Sequence, residues 1–415
     1  MTDNEKHIPA GYKSSPLGII PEDWEVKRLG KIANRIGDGI HGTPKYTDKS
    51  EYYFINGNNL NNGKIVINDS TKCVPYSEYI KYKKNIPQHT ILLSINGTIG
   101  NIALYNDEKV MLGKSAAYIT IPNYKFFYHL LQSNRVLTAF EKELTGTTIR
   151  NLSLDSIRNL TIALPSQKEI ESISTLLDLW DTAISKQTAL TEKLTIRKRG
   201  LMQQLLTGKK RLKGFEGEWK EVKLGEIAER ITRKNEEDNQ NVVTISAQRG
   251  FVVQTEFFNK SIASETLDNY FLVYKDEFCY NKSYSNGYPM GVIKRMKTFD
   301  KAVVTTLYIC FALKRETIIN IDFFEQYGDS GILNKELIKV ANEGGRAHGL
   351  LNVTSSDFFN MHMRIPSIDE QNAIASVLVN ADKEIEIQKQ KLMSLQELKK
   401  GLMQVLLTGE RRVRL

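Results

Sequence analysis

A chain of 415 residues, 41% hydrophobic and 25% charged, has material for more than one core, and two or more domains are expected. Three scattered cysteines (Cys73, Cys279, Cys310) and six scattered histidines argue against a disulfide framework or a zinc site. The polar start at Met1 and the lack of any long apolar run point to a cytoplasmic protein with no membrane span. A formal charge of +9 and a pI of about 9.1 favour a polyanionic partner, because each neutralised phosphate releases counterions.

From the N-terminus, residues 22 to 164 read as mixed α/β. Short apolar runs (Tyr52–Ile55, Lys64–Ile67, Thr90–Leu93, Ala117–Ile121) stand between turn-rich stretches, with one helix expected near Phe126–Leu144. The loops carry base-reading side chains among glycines: Asp38, His41, Thr43, Lys45 and Tyr46, then Asn58 and Asn59, then Asn96 and Thr98, then Thr147 and Arg150. Any one such loop is more simply a turn; the set as a whole favours a DNA face.

A strand-like run from Leu160 to Leu164 stops at Pro165, and a long helix follows. Ser166 offers an N-cap hydroxyl, Glu169 stands three residues on as in a capping box, and Gly208 sits at a C-cap position. Apolar residues recur at 4-3 spacing through Ile173, Leu177, Trp180 and Ile184, then Leu194, Leu201 and Leu205, with Gln187, Thr191 and Lys198 interrupting. That is a coiled-coil seam, and some forty residues of helix span on the order of 60 Å.

The chain then repeats itself. Trp24, Leu29, Gly30, Ile32, Ala33, Arg35 and Ile36 recur 195 residues later as Trp219, Leu224, Gly225, Ile227, Ala228, Arg230 and Ile231. A second α/β region spans 217 to 365, with strands at Val242–Ile245, Phe271–Tyr274, Val303–Thr306 and Tyr308–Phe311 and a helix near Asp322–Ala341. Its candidate base-reading residues are Gln248 and Arg249, then Asn281, Lys282, Tyr284, Asn286 and Tyr288, then Arg346 and His348.

The helix returns at an offset of 201: Pro366, Ser367 and Glu370 open it, and Gly401-Leu-Met-Gln-Val-Leu-Leu-Thr-Gly409 closes it as Gly200-Leu-Met-Gln-Gln-Leu-Leu-Thr-Gly208 closes the first. The second seam reads Ile374, Leu378, Ala381, Ile385, Gln388, Leu392, Leu395, Lys399, Leu402, Leu406. Neither stripe can be buried by its own helix, so the two are expected to bury each other.

The domains so read are 1–165, 166–210, 211–366 and 367–415: variable α/β domain with N-terminal arm, shared helix, variable α/β domain, shared helix. The fold class expected is α+β, two mixed α/β domains separated by two long helices, with a pseudo-two-fold internal repeat.

Leu112-Gly113-Lys114-Ser115 looks like the end of a phosphate-binding loop, but Glu108 stands where the early glycine is needed. No adenine-extruding Asn-Pro-Pro-aromatic motif and no nucleophile elbow occur. No catalytic or metal-binding residue is therefore assigned.

The two W-x4-L-G-x-I-A-x-R-I openings, the Pro-Ser helix starts and the repeated G-L-M-Q-x-L-L-T-G endings resemble the specificity subunits of type I restriction–modification systems over nearly the whole chain. Pro366 to Gln371 follows that family's P-x-x-x-E-Q start; the first copy departs at Ile170 but keeps Glu169. The resemblance implies that 1–165 and 211–366 are target recognition domains, that the helices of 166–210 and 367–415 form an antiparallel coiled coil acting as a spacer, and that the double-stranded DNA target has two blocks around an unspecified spacer. It implies two methyltransferase subunits as partners, methylating adenine N6 with S-adenosylmethionine, and two motor–nuclease subunits using ATP and Mg²⁺. All of those cofactors would belong to the partners and none to this chain. Two other readings stay open on the residues alone: a specificity subunit of another restriction class, and a non-catalytic coiled-coil adaptor.

Overall fold

The computed structural model describes residues 8–145, 150–258, 267–285, 287–315, 319–341 and 351–413. It resolves into two units: Met1–Thr188 with Lys391–Leu415, and Ala189–Gln390. Two 39-residue helices, Gln167–Leu205 and Ile368–Leu406, each contribute one part to each unit. Among the described residues, no helix is long and apolar enough to cross a membrane.

The first unit is built on a four-stranded antiparallel sheet in the order Arg35–Asp38, Ala116–Thr120, Ile91–Ser94, Ile102–Leu104. Alternation along a strand sends neighbours to opposite faces. Ile91 and Leu93 therefore join one core, with Ala117, Ile119, Phe126 and Phe127, while Leu92 joins another, with Ile55, Ala103, Leu112 and Tyr118. The first core also takes in Ile170, Ile173 and Leu177 from one spacer helix and Met403, Leu406 and Leu407 from the other. The sheet thus has a helix side and a loop side.

The second unit repeats this sheet as Ala228–Ile231, Ile309–Leu313, Phe278–Asn281, Val292–Arg295. Phe278, Tyr280, Ile309 and Phe311 face the spacer-helix residues Met202, Leu205, Leu206, Ile374 and Leu378. Cys279, Val292 and Cys310 face away, toward Val243, Ile245 and Phe251.

Two departures from sequence expectation have local causes. The single helix expected near Phe126–Leu144 is two, Tyr124–Leu131 and Asn134–Lys142, because the Ser133 hydroxyl accepts from Val136 N and restarts the turn. The helix expected near Asp322–Ala341 likewise divides into Ile321–Asp329 and Asn334–Val340, with Gly331 between them at φ +76°.

The capping boxes are half-formed. Ser166 and Ser367 hydroxyls accept from Glu169 N and Glu370 N at 3.4 Å, but neither carboxylate returns to its own helix start. In the first unit Glu169 takes Trp24 Nε1 at 2.9 Å and Arg412 Nε at 2.6 Å; in the second Glu370 takes Arg211 Nε at 2.5 Å. A short antiparallel ribbon, Glu25–Arg28 with Thr161–Leu164, holds the tryptophan loop beside the first helix start. Lys220–Lys223 with His362–Ile365 is its counterpart.

The lysines that interrupt the seams have partners across them. Within the first unit Lys399 Nζ lies 2.5 Å from Asp181, and within the second Lys198 Nζ lies 2.6 Å from Asp382. Late residues of one helix thus meet early residues of the other in both units, so the pairing is antiparallel. Every apolar seam residue named from the sequence is buried or half-buried, with Leu177 and Leu378 fully so.

Candidate nucleic-acid interface

In the first unit the predicted loops converge on one turn, Gly113–Ser115, on the loop side of the sheet. Ile40 N donates to Leu112 O at 2.9 Å, and a Cβ at Gly39 would collide with the Leu112 and Gly113 carbonyls, so this loop lies flat against the turn. Ser115 Oγ donates to Asn56 Oδ1 at 2.8 Å and accepts from Gly57 N at 2.9 Å, which fastens the Asn58 loop. Ile95 N donates to Ser115 O at 3.0 Å, and Leu152 N to Ile95 O at 2.8 Å. Gly97 N reaches Arg150 O at 3.2 Å, so the Asn96–Thr98 and Arg150 segments join the same cluster.

His41, Thr43, Lys45, Tyr46, Asn58, Thr98 and Arg150 are all exposed on this surface. His41 Nε2 is 2.8 Å from Asp38 Oδ2, so these two form a pair at the rim. Asn96 is half-buried, its backbone bridging to Asn151. Asn59 turns inward: its Oδ1 accepts from Asn56 N at 3.0 Å and its Nδ2 donates to Val66 O at 3.0 Å. Its amide is committed to holding the loop, and Asn58 is the outward residue. Thr147 lies outside the described residues.

Lys114 was not singled out as a DNA contact from the sequence. It stands exposed at the turn on which the loops converge, and no carboxylate among the described residues pairs with it. The linear sequence marks it only through the incomplete phosphate-loop match at Leu112–Ser115, because its setting is made by four distant segments.

In the second unit Gln248 and Arg249 occupy the exposed hairpin turn between Val243–Ser246 and Gly250–Val253. The Arg249 guanidinium lies 5.6 Å from the Phe257 ring centroid. Asn281 is buried and structural: its Nδ2 donates to Ile245 O at 3.0 Å and its Oδ1 accepts from Ser283 N at 3.0 Å. That amide joins the hairpin to the loop bearing Lys282, exposed Tyr284 and half-buried Tyr288. Tyr308 braces the same place, its hydroxyl 3.0 Å from Thr244 Oγ1. Burial holds the Lys282 ammonium below its usual pKa of 10.5, and Lys294 Nζ lies 5.9 Å over the Tyr288 ring. Asn286, Arg346 and His348 lie outside the described residues.

Among the described residues both surfaces present polar and cationic side chains on loops tied down by hydrogen bonds. Among the described residues no group of three or more His, Cys, Asp or Glu is gathered as a metal site requires. What these surfaces offer is hydrogen bonding and positive charge, which suit base edges and phosphates.

Comparison with known proteins agrees in kind. The family model for the type I restriction modification DNA specificity domain matches residues 21–195. The putative type I restriction enzyme MjaX specificity subunit of Methanocaldococcus jannaschii is 27% identical over 448 residues, covering 97% of this chain and 97% of that protein. The MjaVIII specificity subunit of the same organism is 23% identical, covering 95% and 94%. The crystal structure of a type I restriction–modification S subunit from M. genitalium superposes with a TM-score of 0.55 at 18% identity, covering 92% of this chain and 96% of that one.

Proposed function

The chain belongs to the specificity subunits of type I restriction–modification systems, and on that premise we propose that each unit reads one block of a two-block DNA target through its loop face. The observation that carries this is one frame bearing two unlike faces. The sheet order, the entry tryptophan and the helix start recur, while the loops on the far side of the sheet do not. A shared frame holds geometry constant, and divergent loops change what is read.

The subunit is non-catalytic; methyl transfer and cleavage belong to other subunits of the complex. In this reading two methyltransferase subunits assemble on the chain and methylate adenine N6 with S-adenosylmethionine. Two motor–nuclease subunits add cleavage driven by ATP with Mg²⁺, and the complex works in the cytoplasm. On the first face Asn58, Thr98, Lys45 and Arg150 are the outward donors, with Lys114 central; on the second they are Gln248, Arg249 and Tyr284.

The test is a domain exchange. Residues 22–164 are replaced by the matching segment of another such subunit, and methylated adenines are mapped in cells carrying the chimera. One block of the motif should change and the other stay. Change in both blocks would refute separate reading.

A further inference from the structure

The first unit carries a short helix, Tyr76–Tyr82, outside the loop cluster described above. From Lys72 to Asn85 the chain holds four lysines (Lys72, Lys81, Lys83, Lys84) and one carboxylate, Glu78. Glu78 is already engaged, its Oε2 accepting from Lys45 N at 3.2 Å, which fastens the helix to the Asp38–Tyr46 loop. The nearby Glu51 is likewise taken, by Lys109 at 2.6 Å. No carboxylate among the described residues lies within ion-pair distance of the four lysines, and Lys72, Lys81 and Lys83 are exposed.

Aromatic contacts run along this cationic strip. Tyr52 stacks on Tyr79 with centroids 4.5 Å apart and meets Tyr76 at 5.4 Å. Lys81 Nζ lies 4.8 Å over Tyr82, and Lys83 Nζ lies 5.7 Å over Tyr79. Arg35 Nη1 donates to Asn85 O at 3.1 Å, so the far end of the strip is held to a strand of the sheet. Glu78 keeps its charge and attracts Lys81, but one carboxylate among Lys72, Lys81, Lys83 and Lys84 leaves the strip net positive, and a polyanion laid along it relieves the remaining repulsion.

We propose that Lys81, Lys83 and Lys84, on and just after this helix, form a second contact of the first unit with DNA, gripping the phosphate backbone beside the block which that unit reads. The inference rests on the reading of the loop face as a base-reading surface. It differs from it in kind, since phosphate contacts set position and affinity but carry no sequence information.

The test uses the chain assembled with its methyltransferase subunits and two fluorescent duplexes of about 40 base pairs, one with the target and one without. The variant is Lys81→Gln with Lys83→Gln and Lys84→Gln, and a triple Lys→Arg variant is the charge-keeping control. Loss of three phosphate contacts should weaken binding to both duplexes alike, by about tenfold or more. It should also make the slope of log affinity against log salt shallower by about three. The methylated motif stays the same, and the arginine variant binds as wild type. Unchanged affinity and slope in a variant that melts as wild type would overturn the proposal. So would a loss confined to the target duplex, or lost assembly with normal DNA binding, which would mean that the strip meets an acidic protein face. If the wild-type complex binds neither duplex, the reading of the loop face falls and takes this inference with it.

Discussion

Arg412 reaches back across 243 residues to Glu169, with Nε 2.6 Å from Oε1 and Nη2 2.9 Å from Oε2. Its other edge holds Asp23 through two bonds of 2.8 Å, and Trp24 Nε1 closes the ring on Glu169 at 2.9 Å. Glu169 is only 1% exposed, so these donors take the place of the water its carboxylate has given up. Removing one partner of a fully buried pair costs about 3–5 kcal/mol; because Arg412 itself is partly exposed, Arg412→Gln should cost the lower amount of about 2–3 kcal/mol. Urea unfolding followed by tryptophan fluorescence measures this. Arg412→Lys should recover only part, since a lysine cannot form the two-pronged contact. A wild-type midpoint for Arg412→Gln would show that the ring contributes nothing.

The pair Lys198–Asp382 predicts a charge-swap result. Asp382→Lys sets two ammonium groups against each other at the seam and loses the bond from Gln326 Nε2, now 2.7 Å. That variant should lose about 1–3 kcal/mol, and adding Lys198→Asp should return much of it. The double-mutant cycle is read from denaturant midpoints. Additive effects, with no recovery in the double variant, would mean that the two side chains do not interact.

Acid should loosen the first unit. Burial pulls the Asp178 carboxyl up, but hydrogen bonds from His129 Nε2 at 3.0 Å and Lys125 Nζ at 2.6 Å outweigh it and hold its pKa below the usual 3.8. Asp23 is also held low, chiefly by its bond to Arg412. A carboxylate whose pKa is lower folded than unfolded adds stability above its unfolded value, and that stability is lost as pH falls through the folded one. Melting temperature should therefore drop steeply below about pH 4. Asp178→Asn should melt lower than wild type near neutrality and show a shallower acid drop; parallel curves for the two proteins would contradict this.

The helix pair also governs how a spacing experiment must be built. Asp181 precedes Lys198 by 17 residues in the first helix, and Asp382 precedes Lys399 by 17 in the second, so matched lengths keep both ion pairs in register. Four residues inserted in the first helix alone, near Thr188–Thr191, would mismatch the helices. Four inserted in both, there and near Lys389–Leu392, add about one turn, or roughly 6 Å, to each. If the helices set the distance between the recognised blocks, the unspecified spacer lengthens by about one or two base pairs while the blocks stay the same. Methylation mapping in cells carrying the paired insertion decides it. An active enzyme with an unchanged spacer would show that the helices do not set the distance.

The frame was legible because its signals are periodic or repeated. The 4-3 stripe from Ile173 to Leu205, its return from Ile374 to Leu406 and the paired tryptophans need only the linear chain. The polar details were not, because an amide reads the same whether it faces water or the core. Asn58 and Asn59 are adjacent and chemically identical, yet only the second is spent inside the fold. Glu169 looked like half of a capping box, but Trp24 and Arg412, far away in sequence, offer it stronger donors. Lys114 and the lysines after Tyr82 acquire their meaning from segments that only folding brings beside them.

The second unit is one unbroken stretch of chain, Ala189–Gln390, whereas the first takes Met403, Leu406 and Leu407 into its core and Arg412 onto its helix start. On the ribosome the second recognition unit can therefore be completed as soon as it has emerged. The first, although its larger part is synthesised earlier, must wait for Met403, Leu406 and Leu407 before its core can close. During that interval the core that Ile119, Phe126 and Phe127 share with Met403, Leu406 and Leu407 lacks part of its cover, and apolar surface left open in this way favours association between unfinished chains.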